Sequence, residues 1–500
     1  MHTLIVILTV FKAIFIPVQC QDSEFSCTRE ELSATLLQAQ EYFNRETGRD
    51  GGFEFHLGNV VNLDRPTAFY GHNSTSRKDE LLYKGVMEAC MKSEGIDFGE
   101  YDNDGDSEVD NVYLIMAGSS EIEGAGEDFI WPHRYFINDC GETFSIDGKR
   151  INSYAVSTES GGLRYLCHEF GHVLGLPDLY DTDGELSGGV SYALGGTCLM
   201  EDKLDRPVPL CAVEKEILGI GKAVIAEKGH YSAEDGCRYV LNTLTEGNCY
   251  LLERVAGKGI AIYHVDRSAS DAGYSDYYRK NLTAAQRWEL NEVNCNPKHQ
   301  CAQLMGFFPS DGCDSFCPED CPLAISDITA DGFNVIEPIS IIAIDEYQDA
   351  AIVRWKAMHD VCSISMEGGN PVEIRSDDGI FSYTFEHLRP ASSYVIEIRN
   401  GSFNKSAGIR TKAYNSNVRA YIHLTGAERT ADGAFVKGTA IPLRVYNAPD
   451  AVSVRWTFDG KEISCGKTGY YTLDRNGELR ARIEWEDGSI EIITKTITVR

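Results

Sequence analysis

The spacing of apolar residues changes part-way along the chain. Before about residue 225, several segments repeat apolar residues at helical spacing, and we predict helices at 29–48, 79–93, 161–175 and 209–219. Between them we predict a β stretch at 53–63 and a strand at 111–118. After about residue 230, short runs such as CYLLERV, SYVIEIR and LRARIEW alternate apolar and polar residues between turns. Such alternation is typical of β-sandwich modules.

A chain of 500 residues is too long for one domain. We predict a multidomain α+β protein, in which a domain of mixed sheet and helices is followed by all-β sandwich modules. The predicted segments are a signal peptide at 1–20, a mixed domain at 21–225, a β-rich domain at 226–360 with a Cys-rich insertion at 295–321, a short fibronectin-III-like module at 361–414 and an Ig-like module at 415–500.

The first residues contain the longest apolar run of the chain. Residues 4–18 read LIVILTVFKAIFIPV, with Lys12 in the run, and are too short for a comfortable membrane span. We predict a secretory signal with cleavage near Gln21. Two alternatives stay open, a lipoprotein acylated at Cys20 and a buried first strand that includes residues 4–12. No other segment has the length and hydropathy of a transmembrane helix.

Composition limits the classes of partner. The chain is 43% hydrophobic and 24% charged, and 76 acidic against 46 basic residues give a net charge of −30. Such a chain can form real cores, but its surface repels phosphates, so nucleic acid is a poor partner. Sixteen cysteines without repeated C-x-x-C pairs indicate disulfides in an exported protein. We expect disulfides also in the cluster at 295–321, with a metal knuckle as the alternative.

The strongest chemical signal is a metal-binding motif in CHEFGHVLGLPDLYD. His168 and His172 are four residues apart, so on a helix both side chains reach one ion, and Glu169 beside them can take a proton from water. Gly175 permits a sharp turn that brings Asp178 back as a third ligand. The motif H-E-x-x-H-x-x-G-x-x-D therefore predicts a catalytic zinc site, and a helix with two ordinary histidines is the weaker interpretation.

Several blocks, in order, resemble one known family. Met200 ends GGTCLM, twenty-two residues beyond Asp178, which suits the methionine turn of metzincins. Together with this turn and the zinc motif, YDNDGDSEVDNVYLIMAG, IWPHR, LCAVEKEILGIG and YLLERVAGKGIAIYHVD are similar to the immune inhibitor A-like family of secreted metzincin-type zinc metallopeptidases. The resemblance covers about residues 25–355.

The resemblance implies a fold and roles for single residues. It implies a twisted mixed sheet with helices and a cleft between the zinc helix and the methionine turn. His168, His172 and Asp178 would be zinc ligands, Glu169 the general base, and Met200 the residue beneath the zinc. Family members usually begin the domain with an apolar strand, and here VILTVFKA (6–13), inside the expected signal, is the candidate.

An acidic loop is a candidate second metal site. Carboxylates alternate at Asp102, Asp104, Asp106 and Asp110, as Ca²⁺ sites require, although the glutamate of an EF-hand is missing because Tyr113 occupies its position. A solvated acidic turn is the alternative interpretation.

The sequence thus predicts a secreted zinc endopeptidase that cleaves proteins or peptides, with one catalytic Zn²⁺ and a structural Ca²⁺. The alternative from another class is a catalytically silent zinc-binding adhesion protein that acts through its C-terminal modules. A zinc hydrolase of another kind of bond also stays open. The importance of Glu169 distinguishes the enzyme from the adhesion protein.

Overall fold

A computed structural model describes most of the chain. The described residues are 10–48, 52–72, 81–181, 190, 193–201, 205–266, 301–310, 313–401, 403–413, 420–422, 424, 430 and 434–500. They form two compact units, of which the first is Met1–Phe316 with Ile325–Val335 and the second is Cys317–Ala324 with Ile336–Arg500. The division lies between the domain boundaries predicted at 225 and 360.

Four of the five α-helices described in the first unit lie within the predicted segments, and the short helix Thr67–Gly71 was not predicted. The five helices are α1 (Arg29–Thr47), α2 (Thr67–Gly71), α3 (Leu82–Lys92), α4 (Gly162–Val173) and α5 (Ala212–Ile217). Helix α1 begins with a capping box, in which the Thr28 side chain accepts from the Glu31 N–H and the Glu31 side chain accepts from the Thr28 N–H. It ends at Gly48, whose φ of 66° suits glycine.

The strands of the first unit form four sheets. Their bounds are β1 (Phe11–Gln19), β2 (Phe53–Leu57), β3 (Val61–Asn62), β4 (Glu108–Val109), β5 (Val112–Met116), β6 (His133–Phe136), β7 (Phe144–Ile146), β8 (Lys149–Ile151), β9 (Ser153–Thr158), β10 (Lys222–Ile225), β11 (Gly229–Ser232), β12 (Cys237–Asn242), β13 (Asn248–Val255), β14 (Gly259–Asp266), β15 (Ala302–Phe308), β16 (Ala324–Thr329) and β17 (Gly332–Ile336). The sheet orders are β2-β1-β5-β9-β6 with β3 also on β1, then β4-β8-β7, β10-β12-β13-β14-β15, and β11-β17-β16.

The first sheet is mixed and buried on both faces. Strands β1, β2, β3, β5 and β9 pair in parallel, and only the edge strand β6 is antiparallel. In β1, Ala13 and Phe15 face a core that includes α1 and α4, while Ile14 and Ile16 face a second core that includes α3. Helices on both faces explain why the strand is an unbroken apolar run.

The N-terminal expectation needs correction. Strand β1 lies inside the sheet, and its residues Ala13–Val18 are buried. Cleavage near Gln21 would remove this strand, so the expected signal peptide at 1–20 does not agree with the fold. The strand alternative agrees with the fold, but the strand lies later in the sequence than expected, at Phe11–Gln19 and not at 4–12. Residues 1–9 lie outside the described residues. Lys12 pairs with Glu100 at 2.9 Å, which explains a lysine within the run.

Among the described residues of the second unit, the two larger cores are each shared by two sheets. Its strands are β18 (Ile339–Glu346), β19 (Ala351–Ala357), β20 (Val361–Met366), β21 (Val372–Arg375), β22 (Ile380–Phe385), β23 (Ser393–Asn400), β24 (Phe403–Arg410), β25 (Tyr421–Ile422), β26 (Ala440–Tyr446), β27 (Ala451–Phe458), β28 (Lys461–Cys465), β29 (Thr468–Thr472), β30 (Gly477–Trp485) and β31 (Ile490–Ile497). Sheets β18-β19-β22 and β21-β20-β23-β24 share one core, and β25-β26-β29 and β28-β27-β30-β31 share the other. The module expected at 361–414 seemed short because its core also uses β18 and β19.

The cysteine prediction also needs correction. No disulfide links the fifteen cysteines among the described residues to one another, including Cys301, Cys313, Cys317 and Cys321 of the expected insertion. Cys295 lies outside the described residues. Most of the described cysteines are buried, where a thiol serves as a small apolar side chain. In the part of the chain that the structure describes, no helix is both long and apolar enough to cross a membrane.

Candidate metal centre

Helix α4 carries the two histidines of the motif. It follows β9, and one turn separates His168 from His172, whose ring centroids lie 4.9 Å apart. Both side chains are largely buried, with 13% and 19% of their surface exposed. Glu169, on the same helix, is 4% exposed. The predicted helix therefore forms and directs both imidazoles to one place.

After α4 the chain turns back at Gly175, as predicted from the sequence. Gly175 has a φ of 103°, a value that favours glycine, and its N–H donates to His172 O at 3.1 Å. Asp178 then lies beside both histidines. Its Oδ1 is 3.1 Å from His168 Nε2 and 3.3 Å from His172 Nε2. Burial alone would raise the pKa of Asp178, but the two imidazoles hold it well below its ordinary value.

The three donors fit zinc. Atoms bound at about 2.0 to 2.1 Å to one tetrahedral ion are about 3.3 Å apart, close to the separations between Asp178 Oδ1 and the two Nε2 atoms. Two imidazole nitrogens and one carboxylate are the donor types that catalytic zinc uses, and three protein ligands leave a position for substrate. These residues would hold the ion.

Backbone carbonyls orient both imidazoles. His172 Nδ1 lies 2.8 Å from Leu176 O, and His168 Nδ1 lies 3.4 Å from Leu199 O. A carbonyl only accepts hydrogen bonds, so it favours the tautomer with the proton on Nδ1. That tautomer leaves the lone pair of each Nε2 for a metal ion, as outer contacts of metal ligands commonly do.

Met200, the residue predicted to lie beneath the zinc, packs against the helix that carries the two histidines. Its side chain is fully buried, and a Cβ built on Gly171 would lie 2.7 Å from Met200 Sδ. Gly171 is between the two histidines, so Met200 is in contact with the backbone that carries them. Met200 O also accepts from Leu179 N–H at 3.0 Å, next to Asp178. The turn therefore supports all three donors from below.

Two buried acids behind this turn were not predicted. Glu214 in α5 is fully buried, and Glu253 in β13 is 8% exposed. Glu253 follows Cys249 and Leu251 on the core face of its strand, and an acid at an alternating apolar position is a signal that could have found it. Glu214 is the third residue of α5, in a capping box with Cys211, which is not one of the usual capping residues.

The acidic loop brings three of its four predicted residues together. Asp102, Asp104 and Asp106 each place a carboxylate oxygen within 4.8 Å of the others. Asp110 is not in this group, because its Oδ2 accepts from the Asn103 backbone and side chain at 2.7 and 2.8 Å. Lys149 contacts Asp102 Oδ2 at 2.7 Å, whereas Asp102 Oδ1 is buried without a hydrogen-bond partner.

Part of this chain is similar to known metallopeptidases. Residues 21–194 match the model of the immune inhibitor A peptidase M6 catalytic domain. Immune inhibitor A of Bacillus thuringiensis is 27% identical over 196 residues, which are 32% of this chain and 28% of that protein. The pre-pro-metalloprotease PrtV of Vibrio cholerae is 23% identical over 190 residues, 31% of this chain and 20% of that protein.

The resemblance to the immune inhibitor A-like metallopeptidases is therefore confirmed. This chain spans well under half the length of the curated relatives it matches. The matched immune inhibitor A-like region contains all three predicted zinc ligands, but it begins after β1 and ends before Met200.

Fibronectin(III)-like modules of Clostridium thermocellum CbhA match with 8% identity, covering 32% of this chain and 94% of that one, at a TM-score of 0.13. A score this low carries no conclusion about fold.

Proposed function

We propose that this chain is a zinc-dependent endopeptidase that hydrolyses peptide bonds of extracellular proteins. The convergence of His168 Nε2, His172 Nε2 and Asp178 Oδ1 is the observation that carries the proposal. The buried Met200 beneath them and the similarity of residues 21–194 to a metallopeptidase family support it.

The mechanism divides the work between a metal ion and Glu169. When bound, Zn²⁺ polarises the scissile carbonyl and acidifies water. Glu169 takes the proton of the attacking water and delivers it to the leaving amine. Its low exposure keeps bulk water away from this proton transfer. His168, His172 and Asp178 would hold the ion, and the carbonyls of Leu176 and Leu199 keep the imidazoles in the required orientation.

The substrate class follows from the family and the charge. Metallopeptidases act on proteins or peptides. The net charge of −30 favours substrate segments that are neutral or basic. The extracellular setting rests on the resemblance to the family. The paired sheets of the second unit support sandwich modules that hold or present substrate.

Hydrolysis of casein by the zinc-loaded chain tests the proposal, with Glu169→Gln as the decisive variant. We expect cleavage by the wild type and a loss of at least about a thousandfold in the variant, with one zinc per chain retained. The conservative Glu94→Gln, at an exposed acid outside the site, serves as the control. Equal activity of wild type and Glu169→Gln would contradict Glu169 as the base, and zinc binding without cleavage would favour the adhesion protein.

We also propose a structural Ca²⁺ at Asp102, Asp104 and Asp106. The buried Asp102 Oδ1, which accepts no hydrogen bond, supports it, whereas the Lys149 contact occupies only Oδ2. Added Ca²⁺ should raise the thermal midpoint of the wild type by several degrees but not that of Asp104→Asn. An equal rise in both would place the ion elsewhere, and no rise in either would leave the loop a solvated acidic turn.

A further inference from the structure

A buried carboxyl group connects the methionine turn to helix α5. Glu214 Oε1 accepts from Met200 N–H at 3.0 Å, and Glu214 Oε2 accepts from Cys211 N–H at 2.8 Å. Each oxygen thus faces a backbone donor. Since a carboxylate only accepts, and both partners only donate, these contacts favour the ionised form of Glu214.

A second buried carboxyl group, that of Glu253, supports the other side of α5. Glu253 Oε1 accepts from Ala212 N–H at 2.9 Å and lies 3.0 Å from Tyr263 Oη. The same Tyr263 oxygen is 3.0 Å from Thr197 Oγ1, which in turn is 2.7 Å from Leu194 O. A row of oxygens therefore runs from β13 to the segment just before Met200.

The number of protons available in this row indicates the protonation state of Glu253 in which every contact is a hydrogen bond. The row contains three contacts between oxygens, but Tyr263 and Thr197 supply only two hydroxyl protons. If Glu253 is ionised and Tyr263 donates to it, then Thr197 donates to Leu194 O and the contact between the two hydroxyls has no proton. A proton on Glu253 completes the row, because Glu253 donates to Tyr263, Tyr263 to Thr197, and Thr197 to Leu194 O.

The surroundings agree with one shared proton. Burial raises the pKa of both carboxyl groups, that of Glu214 to about 8, and a charge on Glu253 would raise that of Glu214 further, so the two acids are not both ionised at neutral pH. The N–H groups of Cys211 and Met200 lower the pKa of Glu214, and these two donors favour leaving the proton on Glu253. The positive charges of Lys215 and Arg238 lower the pKa of Glu253. The other titratable groups near this cluster are Tyr42, Cys198, Glu201, Cys211, Glu216 and Tyr263.

We propose that Glu214 is a positioning residue, which holds Met200 beneath the metal ligands as an ionised carboxylate, and that Glu253 behind it carries a proton at neutral pH. The importance of this arrangement for catalysis rests on the proposed function. The protonation of Glu253 and the support of the turn can be measured without any substrate.

The two isosteric variants Glu214→Gln and Glu253→Gln should differ. An amide at 214 directs its NH₂ group at a backbone N–H, so the turn loses a contact and zinc should pass to a chelator at least about tenfold faster. An amide at 253 can replace the protonated acid, so its release rate at pH 7 should be within about twofold of the wild type. Glu234→Gln, at an exposed acid that pairs with Lys222, is the surface control.

The pH dependence gives a readout that a merely structural role would not move. A raised pKa of a buried acid contributes stability at low pH that is lost as pH rises through the folded value. As pH rises above the ordinary carboxyl range, the wild type should therefore release zinc progressively faster relative to Glu253→Gln, until Glu253 is ionised. The thermal midpoints of the two metal-free proteins should diverge in the same direction.

Infrared difference spectroscopy of the full chain decides the protonation directly. We expect the carbonyl band of a protonated carboxylic acid at pH 7, absent from Glu253→Gln and present in Glu214→Gln. Absence of this band in the wild type, or equal damage by both substitutions, would overturn the proposal. Failure of the chain to bind zinc would contradict the proposed function alone, since the band and the thermal midpoints would still test the two acids.

Discussion

Met200 Sδ lies directly below Gly171, so close that a Cβ on Gly171 would be 2.7 Å from it. Gly171 precedes His172 in α4, and the same Cβ would lie 3.3 Å from Leu199 Cδ2. The absence of a side chain at 171 therefore allows the methionine turn to approach the helix that carries both histidines.

Gly171→Ala tests this contact. Alanine favours a helix by up to about 1 kcal/mol, but the clash with Met200 should cost about 1 to 3 kcal/mol, so we expect net destabilisation and faster zinc release. Denaturant unfolding measures the free energy. Met200→Ala in the same chain should remove most of the alanine effect, and an unchanged effect in the double variant would show that the clash is not its cause.

Asp178→Asn tests the third ligand. The amide keeps the size of the side chain but loses the charge and one acceptor that Zn²⁺ requires, so we expect zinc affinity to fall at least about a hundredfold. Competition with a chromophoric chelator measures it. Asp181→Asn, three residues later, is the control, and equal losses in the two variants would contradict the assignment of Asp178.

Phe15→Ala tests β1 as part of the folded domain. Phe15 is fully buried, with ring centroids 4.7 Å from Tyr113 and 4.9 Å from Phe55, so we expect a loss of about 3 to 5 kcal/mol in unfolding free energy. Val10→Ala, at a residue that is 42% exposed, should change it by less than about 0.5 kcal/mol. A folded, active product that begins at Gln21 would contradict the account of this strand.

Glu159→Gln tests the loop before α4. Glu159 accepts from the N–H groups of Ser26, Cys27 and Gly118. Burial opposes ionisation, but these hydrogen bonds outweigh it and lower the pKa of Glu159 from its ordinary 4.5. A lowered pKa contributes stability that is present above about pH 4.5 and is lost as pH falls through the folded value.

The difference in unfolding free energy between wild type and Glu159→Gln should therefore be about 1 to 3 kcal/mol at pH 7 and should shrink below pH 4.5. Urea unfolding at a series of pH values measures it. Glu24→Gln, at an exposed position, should show no such difference. A difference that stays constant down to pH 3 would mean that the carboxylate charge does not matter.

The sequence predicted most helices and the meeting of His168, His172 and Asp178 well, because both depend on local spacing. Helix α4 and the turn at Gly175 follow from a few adjacent residues, and Asp178 lies where the motif places it. The position of strand β1 was predicted wrongly, because an apolar run satisfies the criteria of a signal peptide and of a buried parallel strand equally. Only its pairing with β2 and β5 distinguishes the two.

The support of the site could not be predicted from spacing. Glu214 and Glu253 act on Met200 and Ala212 through contacts between distant parts of the chain, and charged residues in a predicted helix and strand usually face solvent. The disulfide prediction did not hold for the described cysteines, because cysteine counts indicate a redox compartment and not which thiols meet. Asp110 does not join the other three aspartates, because its carboxylate accepts a hydrogen bond from Asn103, which the sequence pattern did not indicate.

The central claim is that His168, His172 and Asp178 bind one catalytic zinc ion. X-ray absorption at the zinc edge of the loaded chain tests it most directly, with Asp178→Asn beside it. We predict two imidazole nitrogens at about 2.0 Å and carboxylate or water oxygen in a four-coordinate site, with one zinc per chain, and a changed spectrum with weakened binding in the variant. Sulfur ligands at about 2.3 Å, or an unchanged spectrum in Asp178→Asn, would contradict the account.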